Sequence, residues 1–155
     1  MQLLDNNAQA FLALVRGGLW EKDVRLSKFD PIDYPRVLSL AEEQSVVGLV
    51  TAGLEQVVDA KVPKNIVLQF VGQALQLEQR NISMNHFIEI LVEKMREEGI
   101  YTLLVKGQGI AQCYTRPLWR ASGDVDFLLS QDNYSRARAF LLPLSSGNKP
   151  TWNSE

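Results

Sequence analysis

LLVKGQGIAQCYTRPLWRASGDVDFLL, residues 103–129, is where the chain changes character. Ahead of it apolar residues recur at helical spacing, whereas Ile100-Tyr101-Thr102-Leu103-Leu104-Val105 is a short, apolar, β-branched run that predicts a strand. The run stops at Lys106-Gly107-Gln108-Gly109. Ile110 to Tyr114 then reads as a short helix, Thr115 to Gly123 as a loop containing Pro117, and Asp124-Val125-Asp126-Phe127-Leu128-Leu129 as a second strand. Asp132 is placed to cap a last helix, Tyr134 to Leu142. The tail beyond Pro143 is polar, carries Gly and Pro, and is expected to be mobile.

Asp124 and Asp126 are the most informative pair. A strand puts residues two apart on one face, so both carboxylates are expected to point the same way beside apolar neighbours. Like charges that close need a counter-charge. One solution is a divalent metal, with magnesium the natural candidate for hard oxygen ligands; the other is plain solvation or pairing with Arg116 or Arg120. Lys106-Gly107-Gln108-Gly109 joins a strand to a helix start, where glycine lets an anion approach unpaired backbone N–H groups and a phosphate would fit. The same residues also suit a tight turn with a surface lysine. The turn has neither P-loop nor dinucleotide-fingerprint spacing. Arg120 offers a planar donor suited to phosphate, or an ion pair to an aspartate.

Upstream the chain reads as helices. Phe11, Leu12, Leu14 and Val15 cluster on one side of a helix capped by Asn6 or Asn7 and stopped by Gly17-Gly18. After a mixed turn region, Asp33 with Pro35 starts a second helix that breaks at Gln44-Ser45. Val46 to Val58 has strand-like composition, but its length favours a buried helix. From Pro63 to Glu98 the set Val67, Phe70, Ala74, Leu77, Asn81, Met84, Ile88, Leu91 and Met95 alternates steps of three and four, with Asn81 its one polar member. That pattern predicts one long helix, with a kink near Asn81-Ile82-Ser83 as the alternative. The stripe serves either as the seam of a coiled coil or, the reading favoured here, as the face on which the other helices pack.

At 155 residues and 46% hydrophobic content the chain can bury a core without staples, and Cys113 is the only cysteine, which fits a reducing compartment. Cys113 is expected to be a buried packing thiol, His86 a surface residue, and Trp119 part of loop packing or of a base pocket. The N-terminus lacks a basic n-region and no run is long and uncharged enough to span a membrane, so a cytoplasmic location is expected. A net charge of −2 offers nucleic acid no general attraction.

In sum the residues predict a mostly helical α+β chain. A helical region, 1–98, with a long helix at about 63–98, precedes a short-sheet core, 99–142, and a tail, 143–155.

Strand, glycine turn, helix, arginine loop and Asp-x-Asp strand, in that order, resemble the nucleotidyltransferase superfamily typified by DNA polymerase beta. LLVKGQGIAQCYTRPLWRASGDVDFLL is most similar to a bacterial nucleotidyltransferase-like family in which a Leu-Lys-Gly turn, an aromatic, a proline, an arginine and an Asp-hydrophobic-Asp strand follow a helical region. Here these are Leu104 or Val105, Lys106, Gly107, Tyr114, Pro117, Arg120 and Asp124-Val125-Asp126-Phe127.

The resemblance implies transfer of a nucleoside monophosphate from an NTP donor to an acceptor hydroxyl that the sequence does not name. Asp124 and Asp126 would be the catalytic metal ligands for one or two Mg²⁺, or Mn²⁺. Lys106, Gly107, Gln108, Gly109 and Arg120 would bind phosphate. Two departures stand out. Gln108 replaces the serine of the usual Gly-Ser turn, and of the third carboxylate that active members draw from a later strand there is only Asp132 or Glu155 to choose from. The nucleotidyltransferase core is therefore expected to be partial: the front of a longer protein, a degenerate copy, or a sheet completed by another chain, including a homo-oligomer. The alternative function is a non-catalytic helical interaction module with a vestigial acidic site.

Overall fold

Asp5 accepts a hydrogen bond from the Ala8 amide at 2.7 Å and opens α1, Asn6–Trp20, so the cap lies one residue before the asparagines expected to provide it. Asn7 instead accepts from the Asp33 amide at 2.8 Å, tying the start of α1 to the start of α2, Tyr34–Glu43. The computed structural model describes residues 5–144; residues 145–155, most of the expected mobile tail, lie outside the described residues.

α1 does not stop at Gly17-Gly18. It runs through both, because α3, Val47–Glu55, crosses it at backbone contact. A Cβ on Gly18 would sit 1.9 Å from the Leu49 carbonyl oxygen, and one on Gly53 would sit 2.0 Å from that of Leu14. The glycines are there for close approach, and α1 ends at Glu21 in a left-handed conformation, φ 49°. α2 starts and stops where the sequence places it, with Asp33 as cap and Gln44 at the end. The Val46–Val58 run is a helix, α3, as its length indicates. Leu14, Leu26, Val37, Val50 and Phe70 form the fully buried centre of this N-terminal bundle. Asp59 accepts from the Ser27 hydroxyl at 2.5 Å and the Leu26 amide at 2.7 Å, and the Ser27 bond above all holds its carboxyl below the ordinary pKa.

α4, Lys64–Glu97, is a single helix of 34 residues, with no break at Asn81-Ile82-Ser83. Its stripe is buried or half-buried throughout, so the seam considered for a coiled coil is occupied within the chain. The N-terminal bundle packs on its first half. Near its C-terminal end a second small core forms from Met95, Ile100 and Ala137, the last on α6, Gln131–Leu141. Ser130 caps α6 by accepting from the Asn133 amide at 3.4 Å; Asp132, expected as the cap, lies in the first turn.

The sheet has two short antiparallel strands, β1, Leu103–Val105, and β2, Asp126–Leu128, in the register Leu103↔Leu128, Leu104↔Phe127, Val105↔Asp126. β1 is shorter than expected because Ile100 turns into the second core, its amide bonded to the Met95 carbonyl at 2.7 Å. The connection from β1 to β2 holds α5, Gly107–Ala111, and a 3-10 turn, Pro117–Trp119. The result is the mostly helical α+β fold that the sequence predicts. Among the described residues no helix is long and apolar enough to cross a membrane. Cys113, expected to be buried, is exposed on the turn that follows α5.

Candidate functional site

The chain leaves β1 through an unfavourable backbone. Lys106 has φ 51° and ψ −148°, a region nearly reserved for glycine, and the strain of a side chain there costs about 1–3 kcal/mol. A glycine follows it directly, so a spare glycine is not what the sequence lacks. The Lys106 ammonium lies 3.9 Å from Oδ1 of Asp126, with the lysine side chain 73% and the aspartate 33% exposed. A pair that open contributes little to folding. The strain is therefore not offset by this contact alone.

Gly107 is buried with φ 25°, and a Cβ on it would come within 2.8 Å of the Ser122 hydroxyl and 3.2 Å of the Asp124 carbonyl oxygen. Continuing the register of the sheet by two residues places Gly107 opposite Asp124, which agrees with that contact. The glycine turn and the acidic pair are thus side by side. β2 begins only at Asp126, so Asp124, expected within the strand, is an exposed residue just ahead of it.

Arg120 is half-buried and braces the turn from the other side. Its guanidinium donates to the carbonyl of Gly107 at 3.1 Å and of Ala121 at 3.2 Å. It makes no ion pair with either aspartate, and Arg116 is likewise diverted, forming a two-pronged pair with Glu55 and lying 4.3 Å from the Trp119 ring centroid. Trp119 Nε1 donates to Glu78 at 2.8 Å. These contacts anchor the arginine loop to α3 and α4.

The Gln108 side chain points inward. It is 4% exposed, and its amide donates to Asn81 Oδ1 at 2.9 Å and approaches the Met84 sulfur at 3.4 Å. Asn81, 1% exposed, donates in turn to the carbonyls of Leu118 at 2.7 Å and Arg120 at 2.8 Å. One buried amide on α4 therefore holds both α5 and the arginine loop. Gly109, in the same helix, is packed under β1: its Cβ would lie 3.0 Å from the Leu104 carbonyl oxygen. Of the turn residues, only Lys106 offers solvent a charged side chain.

Two residues of this region escape a sequence reading of the site. Asn81 left a signal, as the single polar member of an apolar stripe. Ser122 left none: its hydroxyl is the one buried side-chain polar atom among the described residues without a hydrogen-bond partner, and it lies against Gly107. Beside it an open groove of about 710 Å³ runs from Ser122 and Gly123 along Gln73, Gln76 and Arg80 of α4.

Among the described residues no group of three or more His, Cys, Asp or Glu side chains is placed to hold a metal ion. Magnesium is commonly held by one or two carboxylates plus substrate phosphates.

A family model described as an uncharacterised nucleotidyltransferase matches residues 30–149. No curated protein and no solved structure matches the chain.

Proposed function

Since the chain belongs to this uncharacterised nucleotidyltransferase family, we propose that Asp124, Asp126 and the Lys106–Gly109 turn bind the triphosphate of an NTP, for transfer of its nucleoside monophosphate to an acceptor hydroxyl. Asp124 and Asp126 would hold one or two Mg²⁺, or Mn²⁺, which when bound neutralise phosphate charge and lower the pKa of the attacking hydroxyl. Gly107 leaves room for a phosphate to approach the backbone. Lys106 pairs with phosphate oxygens. Gln108 takes part through its backbone, since its side chain is engaged by Asn81. Arg120 positions the turn by holding the Gly107 carbonyl rather than by reaching substrate. The acceptor oxygen bonds to the α-phosphorus, the bond from that phosphorus to the bridging oxygen breaks, pyrophosphate leaves, and the hydroxyl proton passes to solvent.

The observation that carries this reading is the Lys106 backbone. A strained side chain next to a carboxylate, where glycine would be relaxed, is the kind of feature that binding sites retain. Lys106→Gly is expected to stabilise the fold by about 1 kcal/mol, the strain relieved minus the entropy cost of glycine, while weakening nucleotide binding. Thermal unfolding with and without nucleotide checks both. A variant that loses stability, or keeps full affinity, removes this support.

Binding itself is tested by thermal shift and calorimetry with Mg²⁺ plus ATP, GTP, CTP or UTP. A ligand specific for the folded state raises Tm by mass action, and Asp124→Ala/Asp126→Ala is expected to abolish the rise. With no third carboxylate gathered at the site among the described residues, the chain is expected to bind nucleotide more readily than it turns over. No shift with any nucleotide, or a shift that survives the double substitution, would falsify the assignment.

A further inference from the structure

The outer face of α4 reads alike in both directions. On the side away from the core, exposed residues recur every three or four positions from Lys64 to Glu93. Folded about Gln79 they match in pairs: Lys64 with Glu93, Leu68 with Ile90, Gly72 with His86, and Leu75 with Ile82. Cation meets anion, apolar meets apolar, and a residue without a side chain meets a ring. Leu68 is 70% exposed, Leu75 50%, Ile82 43% and Ile90 40%.

Gly72 is an independent sign that something comes close. Glycine in a helix interior is costly relative to alanine. Gly17, Gly18, Gly48 and Gly53, the glycines inside the first three helices, each have a neighbour that a Cβ would overlap. A Cβ on Gly72 would meet nothing within 4 Å. At Gly72 the missing side chain leaves open the same close approach to a neighbour from outside the described residues.

We infer that α4 pairs antiparallel with α4 of a second copy, about a two-fold axis crossing at Gln79, with His86 of each copy seated over Gly72 of the other. The occupant is a second copy because the face is complementary to itself, as an isologous interface demands and a foreign partner does not. The antiparallel arrangement also sets Lys64 and the positive N-terminal end of one helix near Glu89 and Glu93 of the other. This interface is separate from the nucleotide site and does not rest on its assignment.

Sedimentation velocity across a concentration series tests it. The chain is expected to dimerise reversibly. Each substitution acts twice per dimer, so Lys64→Glu and Glu93→Lys are each expected to weaken Kd by about tenfold or more. An equimolar mixture of the two variants restores both ion pairs and should recover wild-type association as a heterodimer. Gly72→Leu, at an exposed helical position, should fold normally by circular dichroism yet remain monomeric. A wild-type chain that stays monomeric at its highest soluble concentration overturns the inference, as do a dimer indifferent to Lys64→Glu and Gly72→Leu and a mixture that fails to recover.

Discussion

Replacing Asn81 by leucine is expected to destabilise the chain by about 3 kcal/mol, although leucine fills a similar volume and suits the apolar stripe better. The loss comes from what is left behind. The carbonyls of Leu118 and Arg120 and the amide of Gln108 lose the partner that now stands 2.7 to 2.9 Å from each. Each buried polar group stranded in this way costs about 1–3 kcal/mol, and local relaxation towards water recovers part of the sum. Chemical denaturation gives the magnitude, and hydrogen exchange gives its location. Protection should fall in α5 and the arginine loop while the core around Leu14 and Phe70 keeps it. A change below about 1 kcal/mol would mean that the amide is not the clasp between α4 and the turn.

Gly53→Ala is expected to cost about 2–3 kcal/mol, against the usual gain of about 1 kcal/mol when alanine replaces glycine in a helix. The new methyl would lie 2.0 Å from the Leu14 carbonyl oxygen and 2.7 Å from its carbon, atoms of a helix backbone that cannot swing aside. α1 and α3 must separate, and the contacts around Leu14 and Val50 loosen with them. Gly72→Ala is the internal control. In dilute protein, where its open face has no neighbour, the same chemical change should stabilise the chain by about 1 kcal/mol. Urea midpoints of the two variants should move in opposite directions. If both rise, the backbone contact between α1 and α3 is looser than its distances indicate.

These two positions also mark how far the sequence could be read. The stripe on α4, the Asp33 start and the change from helical to extended pattern after Gly99 are local, and they identify elements without reference to anything distant. Asn81 stood out as a polar interruption, but its partners are on segments 27 to 39 residues away and no local rule names them. Gly17-Gly18, which local rules make a stop, lies inside α1 for the same reason. Glycine ends helices through its own conformational freedom and permits helices to touch through its missing side chain, and only the position of α3 shows that the second applies here.

At the candidate site the division is similar. Sequence alone determined a mostly helical chain whose later part holds a strand, a glycine turn, an arginine loop and a second strand, because spacing and residue type encode local conformation and candidate chemistry directly. Tertiary structure decided which side chains were free for that chemistry. It turned Gln108 inward to Asn81, assigned Arg120 to the Gly107 carbonyl, left Asp124 ahead of the strand, set Ser122 against the turn, and held Lys106 in a strained conformation facing Asp126. The physical reason is that hydrogen-bond partners and close contacts depend on distances between segments remote in sequence, which are fixed only once the helices have packed.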